Sequence, residues 1–86
     1  MEIVGVILDL RYIKHQKDNL RHRKLEVILK TTDIFQRIVA LNIWDRNINK
    51  YPLEKGQKIR AHISASSKSY GDKWYTNLNI HDVDQL

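Results

Sequence analysis

The sequence contains no cysteine and few residues that break regular structure. There are 86 residues, with three glycines and one proline. Without cysteine, a disulfide framework, a thiolate metal site and a cysteine nucleophile are excluded. No apolar run approaches the ~20 residues of a membrane helix, and the first residues lack the pattern of a signal peptide. We therefore expect a single domain over residues 1–86, located in the cytoplasm and without membrane contact.

The charge is concentrated in one segment. The chain has 15 Lys and Arg against 10 Asp and Glu, a formal charge of +5. Six of those basic residues and one acid lie between Arg11 and Lys24, so the rest of the chain is neutral. A segment of this kind attracts the phosphate backbone of nucleic acids. The alternative is a solvated basic loop that serves only solubility.

Apolar and polar residues alternate with period two, which is typical of β-strands. Five strands are predicted, at residues 2–12, 23–31, 36–44, 58–66 and 73–83. In the first, Val4, Val6, Leu8, Leu10 and Tyr12 are predicted to face inward. Ile3 and Ile7 then face outward and form an apolar patch, for which a homodimer through strand 1 is the hypothesis and isolated surface isoleucines are the alternative.

Two polar segments and one short helix separate these strands. Residues 13–22 and 66–72 are predicted to be loops, and Asp45 is expected to cap the helix before Pro52. Three strands, a helix and two strands is the order of the OB-fold, a five-stranded Greek-key barrel. The fold class is thus predicted as all-β, a five-stranded Greek-key OB-fold barrel with a short helix between strands 3 and 4. Ligands of this fold usually lie across strands 2 and 3, between the two loops named above.

Aromatic side chains in single-strand binders provide faces on which bases stack. Trp44 and Tyr75 are predicted to face outward, and Tyr70 lies in the second predicted loop. A second interpretation of Trp44 stays open, in which it packs on the short helix as a lid. Trp74 falls on the inward phase and is interpreted as core. Tyr12 and Phe35 are expected to pack in the core or at strand ends.

Three stretches resemble a family of small bacterial proteins of largely unassigned function. They are residues 37–44 (RIVALNIW), 53–57 (LEKGQ) and 69–76 (SYGDKWYT). The resemblance extends over about residues 25–81, together with Met1–Ile3. It implies an OB-fold similar to that of single-stranded DNA-binding proteins, and it favours DNA over RNA as the ligand. It brings no catalytic residues.

The residues that could support catalysis or metal binding are dispersed. The acids are scattered along the chain, and no Gly-rich phosphate loop or activated serine pattern occurs. The four histidines lack the His-x-x-x-His and His-Glu-x-x-His spacings. We therefore expect no enzyme activity, no metal site and no cofactor.

The sequence predicts a protein that binds single-stranded nucleic acid, more specifically DNA, with little sequence preference. The alternative is a protein-interaction module of a replication or phage-type assembly that does not bind nucleic acid directly. The predicted binding residues are Lys14, Lys17, Arg21, Arg23, Lys24, Trp44, Lys68, Tyr70, Lys73 and Tyr75.

Overall fold

A computed structural model describes the backbone of residues 1–17 and 20–86 and the side chains of residues 1–14 and 22–86. The described chain is all-β, with one short 3₁₀ helix. Along the chain the elements are β1 (Glu2–Lys17), β2 (Leu20–Thr31), β3 (Ile38–Trp44), the 3₁₀ helix (Asp45–Lys50), β4 (Lys58–Tyr70) and β5 (Lys73–Gln85). Within these residues, no helix is long and apolar enough to cross a membrane.

The five strands form one sheet that closes into a ring in the order β1-β2-β3-β5-β4. All neighbouring strands are antiparallel except β3 and β5, which are parallel and pair at Asn42 and Asn79. The all-β prediction and the helix between strands 3 and 4 are confirmed.

The core fills the inside of the ring. Alternate residues of β2, β3 and β4 are buried, among them Leu25, Leu41 and Ile59. The alternation ends in β4 at Ala65, which is exposed because the strand has passed the end of the core. The largest fully buried side chains are those of Ile7, Leu25, Val27, Leu29, Leu41, Ile43 and Ile59.

A β-bulge in β1 reverses part of the predicted facing. Ile7 pairs with Leu29 and Asp9 pairs with Ile28, so Leu8 is the additional residue. One inserted residue moves every side chain before it to the other face. Ile7 is therefore 1% exposed and Leu8 is exposed.

The bulge also removes the basis of the predicted dimer face. Ile3 packs against the core and Ile7 belongs to it, so neither forms an outer apolar patch. The predicted outward facing of Ile3 and Ile7 is wrong, and the homodimer stays a prediction without this apolar patch to support it.

Both segments predicted as loops are instead antiparallel β-hairpins. We call them arm 1 (residues 13–17 and 20–24) and arm 2 (residues 64–70 and 73–78). In arm 2, residues 64–70 and 73–76 are exposed on both faces of the hairpin, so apolar alternation is absent although the strand pairing continues. The turn of arm 2 is Gly71-Asp72, with Gly71 at φ +61°. A glycine with positive φ at the first turn position is what a type II′ hairpin turn needs.

The 3₁₀ helix begins differently from the prediction. Asp45 has φ +50°, and the residue at the N-cap position is Trp44, which makes no side-chain cap hydrogen bond. The Asp45 carboxylate accepts from the backbone N–H of Arg23 instead, at 3.0 Å. Ile48 of the helix is buried, and Tyr51, which follows the helix, packs against the core.

Candidate nucleic-acid interface

The site centres on Trp44, the last residue of β3. Its indole Nε1–H donates to Asn79 Oδ1 of β5 at 2.9 Å. The Lys24 ammonium of β2 lies 5.6 Å from the centroid of the Trp44 ring, within cation–π range. Trp44 faces outward as predicted and is half-buried. It therefore connects the base of arm 1 with β5.

A second hydrogen bond continues from Asn79 into arm 2. The Asn79 amide donates to Ser66 Oγ at 3.4 Å. Ser66 pairs with Asn77 and Ser64 pairs with Asn79, so these polar side chains share the outer face of the hairpin. The outer face thus runs without interruption from Trp44 onto arm 2.

Two lysines and two tyrosines occupy the remainder of that face. Lys68 pairs with Tyr75 and Tyr70 pairs with Lys73. The rings of Tyr70 and Tyr75 meet edge to face, with centroids 5.8 Å apart. All four residues are exposed. Cations beside exposed aromatic rings are the pairing that single-strand binders use for phosphates and bases.

The structure therefore brings six of the ten predicted residues onto one face. We call this set, with the two polar residues that connect it, the outer strip. Its members are Lys24, Trp44, Ser66, Lys68, Tyr70, Lys73, Tyr75 and Asn79. From position 73 to position 79 the strip covers about 20 Å, at about 3.3 Å per residue.

The other four predicted residues belong to arm 1. Lys14 and Arg23 are exposed cross-strand partners, so their side chains share one face of the arm. The adjacent pair, Ile13 and Lys24, occupies the opposite face. The side chains of Lys17 and Arg21 lie outside the described part of the chain. The described cations of arm 1 are thus divided between two faces.

Arm 1 is attached to the 3₁₀ helix through Asp45. One carboxylate oxygen accepts from the Arg23 N–H, and the other lies 3.5 Å from His22 Nδ1. The Arg23 N–H and then His22 lower the pKa of Asp45 below its ordinary value. The carboxylate is therefore ionised at neutral pH and fixes the base of the arm beside Trp44.

Three aromatic residues predicted as core or strand-end packing are exposed. Trp74 is 72% and Tyr12 73% exposed, and the Phe35 ring also faces solvent. Trp74 and Tyr12 occupy positions of β5 and β1 whose side chains would face inward by the strand alternation. Both positions lie beyond the end of the core, so the side chains are exposed. The core assignment of Trp74 is wrong for this reason.

A cluster at the other end of the β4–β5 pair, away from the turn of arm 2, contains metal-ligating residue types. The side-chain ligand atoms of His62, Asp82 and Asp84 lie within 4.8 Å of one another. His62 Nε2 is 2.8 Å from Asp84, His62 Nδ1 is 3.5 Å from Glu2, and Arg60 is 3.9 Å from Asp84. The three residues have the chemistry to hold a cation, but His62 and Asp84 here form an ion-pair network with Glu2 and Arg60 that joins β1, β4 and β5. Asp82 accepts from the Tyr51 hydroxyl at 3.3 Å. The Asp84 carboxylate raises the pKa of His62 above its ordinary value.

The sequence interpretation did not single out Asn79 and Ser66, which orient Trp44. A signal was present, because asparagine is disfavoured within strands and two occur at alternate positions of β5, Asn77 and Asn79. Polar residues repeated on one face of a strand indicate a hydrogen-bonding surface there.

One comparison with known proteins gives a match. A family model described as a domain of unknown function (DUF3127) matches residues 2–84. No curated protein and no solved structure matches the chain.

Proposed function

Since the chain belongs to the DUF3127 family, whose function is unknown, we propose a function from its own surface, namely that it binds single-stranded nucleic acid along the outer strip. The observation that carries the proposal is the arrangement of Lys68, Tyr70, Lys73 and Tyr75 on one exposed face that continues to Trp44. Bases would stack on the rings, and the lysines would neutralise the phosphates between them.

The fold supports this proposal. The order of the elements and the ring order β1-β2-β3-β5-β4 agree with an OB-fold, whose ligands lie on strands 2 and 3 between two connections. Here those connections are arm 1 and arm 2, and Trp44 lies at the end of β3 between them. We propose that the protein is an OB-fold member of this type, from the bacterial cytosol.

Arm 1 has a separate role in the proposal. Lys14 and Arg23 face away from Lys24, and with Lys17 and Arg21 of the same arm they give it a positive field. Such a field raises the association rate and depends strongly on salt. We therefore assign attraction to these four cations and contact to the outer strip, with DNA as the preferred ligand.

The test is a titration with oligo-dT and oligo-U followed by tryptophan fluorescence at two salt concentrations. The chain has two tryptophans, so Trp74→Phe leaves Trp44 as the only tryptophan whose emission is followed. Quenching of Trp44 by the oligonucleotide is expected, with affinity falling as salt rises. Absence of binding by the wild type at low salt would remove the proposal.

A protein-interaction module is the second candidate. On the outer face of β3, Ile38 is exposed next to Ala40, and Ile28 of β2 pairs with Ala40. Exposed apolar side chains grouped on a sheet face favour a protein partner. Replacing Ile38 with Ser should leave oligonucleotide affinity unchanged if the outer strip binds nucleic acid, and it should weaken partner binding if this face binds protein.

A further inference from the structure

The turn between β2 and β3 is held by a network of hydrogen bonds. Asp33 Oδ1 accepts from Thr31 Oγ1 at 2.9 Å, from Phe35 N at 3.1 Å and from Gln36 N at 3.0 Å. Thr31 Oγ1 accepts in turn from Arg37 N at 2.8 Å. Because these bonds fix the backbone on both sides of the tip, the turn has a defined shape before any partner arrives.

This fixed turn presents two apolar side chains to solvent. Ile34 is 91% and Phe35 66% exposed. The Arg37 guanidinium lies 4.9 Å from the centroid of the Phe35 ring, which orients the ring. A preformed apolar projection loses little conformational entropy on binding, so it is well suited to insert into a cavity.

A groove lies next to this projection, which consists of Ile34 and Phe35, at the same end of the ring. It has a volume of about 380 Å³. Its half-buried apolar lining comes from Ile3, Val4 and Val39, and its charged lining includes Glu2 and Arg37. An apolar cavity of about 150 Å³ accepts benzene, so this groove has room for a phenylalanine ring and a neighbouring isoleucine.

We propose that the occupant of the groove is Phe35, with Ile34, of a second copy of this chain, in a two-fold symmetric dimer. A projection beside its own groove suits this symmetry, since rotation by 180° places each projection over the partner's groove. One surface then makes both halves of the contact. This proposal is independent of nucleic-acid binding.

The charges of the groove favour a second copy over a partner of one charge sign. Two-fold symmetry can set Arg37 of each copy against Glu2 of the other, whose exposed carboxylate also lies 3.5 Å from His62 and 3.8 Å from Arg60 of its own copy. A purely basic or purely acidic peptide would meet a like charge at one of these positions. Asp33 is already engaged by three donors of its own turn, so it needs no counterion from outside.

The dimer leaves the outer strip accessible. The groove and the projection flank the start of β3, and Trp44 lies at its other end. The seven residues of β3 separate the two surfaces by about 20 Å. Loss of dimerisation and loss of nucleic-acid binding are therefore separable results.

The first test is sedimentation velocity without nucleic acid, from about 5 to 500 µM, since contacts of small area are weak. The wild-type mass is expected to rise from 10.2 kDa toward twice that value. Phe35→Ala should raise the dissociation constant at least tenfold. Tyr12→Ala is the matched control, because Tyr12 is an equally exposed aromatic residue on β1, away from the groove, and it should change nothing. Thermal unfolding must show both variants folded.

The second test exchanges charges between copies. Glu2→Lys and Arg37→Glu should each weaken self-association at least tenfold, because each homodimer then contains two repulsive pairs. An equimolar mixture of the two variants should associate at least as tightly as the wild type, because both cross-copy pairs become attractive. A wild type that stays monomeric at 500 µM, a Phe35→Ala variant that dimerises normally, or a mixture that stays monomeric would each overturn the proposal.

Discussion

Trp44 donates its indole N–H to the Asn79 side chain across the β3–β5 contact, at 2.9 Å. The only parallel strand pair of the described sheet lies two residues earlier, at Asn42. The Trp44 ring is thus oriented by a strand that is distant in sequence, while Lys24 approaches it from β2. A ring oriented in advance loses little rotamer entropy when a base stacks on it.

Trp44→Ala should weaken oligo-dT binding roughly tenfold, since one stacked base contributes about 1–3 kcal/mol. Asn79→Ala keeps the ring but removes its acceptor, so the expected loss is about two- to fivefold. The same change should lower the free energy of unfolding by about 1 kcal/mol, the net contribution of one hydrogen bond. Fluorescence anisotropy of a labelled oligo-dT and urea denaturation measure the two effects.

Tyr12→Ala is the control for these variants, because Tyr12 is exposed but lies outside the outer strip. Its affinity should equal that of the wild type. Tight binding by Trp44→Ala would show that the strip is not the stacking surface.

The two arms can be compared by removing two positive charges from each. Replacing Lys68 and Lys73 with Gln should reduce the log–log salt slope by about 0.7 for each lysine that contacts a phosphate. Replacing Lys14 and Arg23 with Gln should lower the association rate with a smaller change in the dissociation rate, because these two residues face away from the outer strip and are proposed to attract without direct contact. Stopped-flow binding at several salt concentrations measures both rates. Equal effects of the two double variants on dissociation would contradict the division of roles.

The strands of the ring were predictable because one face of each strand packs on the core and the other faces water. Leu25 and its alternate neighbours in β2 are buried while Lys24 and Glu26 are not, so period two is visible in the sequence. Arm 2 gave no such signal, because residues 64–70 and 73–76 are exposed on both of its faces. Polar pairs such as Ser67 and Thr76, joined at 3.0 Å, continue the strand pairing in arm 2.

The remaining differences come from geometry that composition does not encode. The bulge at Leu8 depends on how β1 bends to pair with both β2 and β4, and it decided the facing of Ile7. Trp74 has the right phase for the core, but the core ends before the strand does. Of the candidate site, residue types and face were predictable for Trp44 and Tyr75. The Trp44–Asn79 hydrogen bond could not be predicted without knowing the order of the strands in the ring, which places β5 beside β3.

Gly5 lies where no side chain fits. A Cβ at this position would be 2.5 Å from the backbone oxygen of Lys30 and 2.7 Å from Leu29 Cγ. Gly5→Ala should therefore destabilise the fold by about 1–3 kcal/mol. Gly71→Ala offers a contrast, because its Cβ would meet open space but its φ of +61° is unfavourable for alanine. The first variant should lower the midpoint of global thermal unfolding. The second should mainly disturb arm 2, seen as weaker oligonucleotide binding with a smaller change in the midpoint.

His62 connects stability to pH through Asp84. Its hydrogen bond to the Asp84 carboxylate, and then the charges of Glu2 and Asp82, raise its pKa above the ordinary value of 6.5, and Arg60 is the facing cation. A raised pKa means that protonated His62 is favoured in the folded state, so this stabilisation is complete below about pH 6.5 and disappears as pH rises through the raised value. Asp84→Asn removes the largest cause. The thermal midpoint of the wild type should exceed that of Asp84→Asn by more at pH 5.5 than at pH 8.5, and NMR titration should show a lower His62 pKa in the variant. A midpoint difference that is constant over this range would mean that the pair adds no pH-dependent stability.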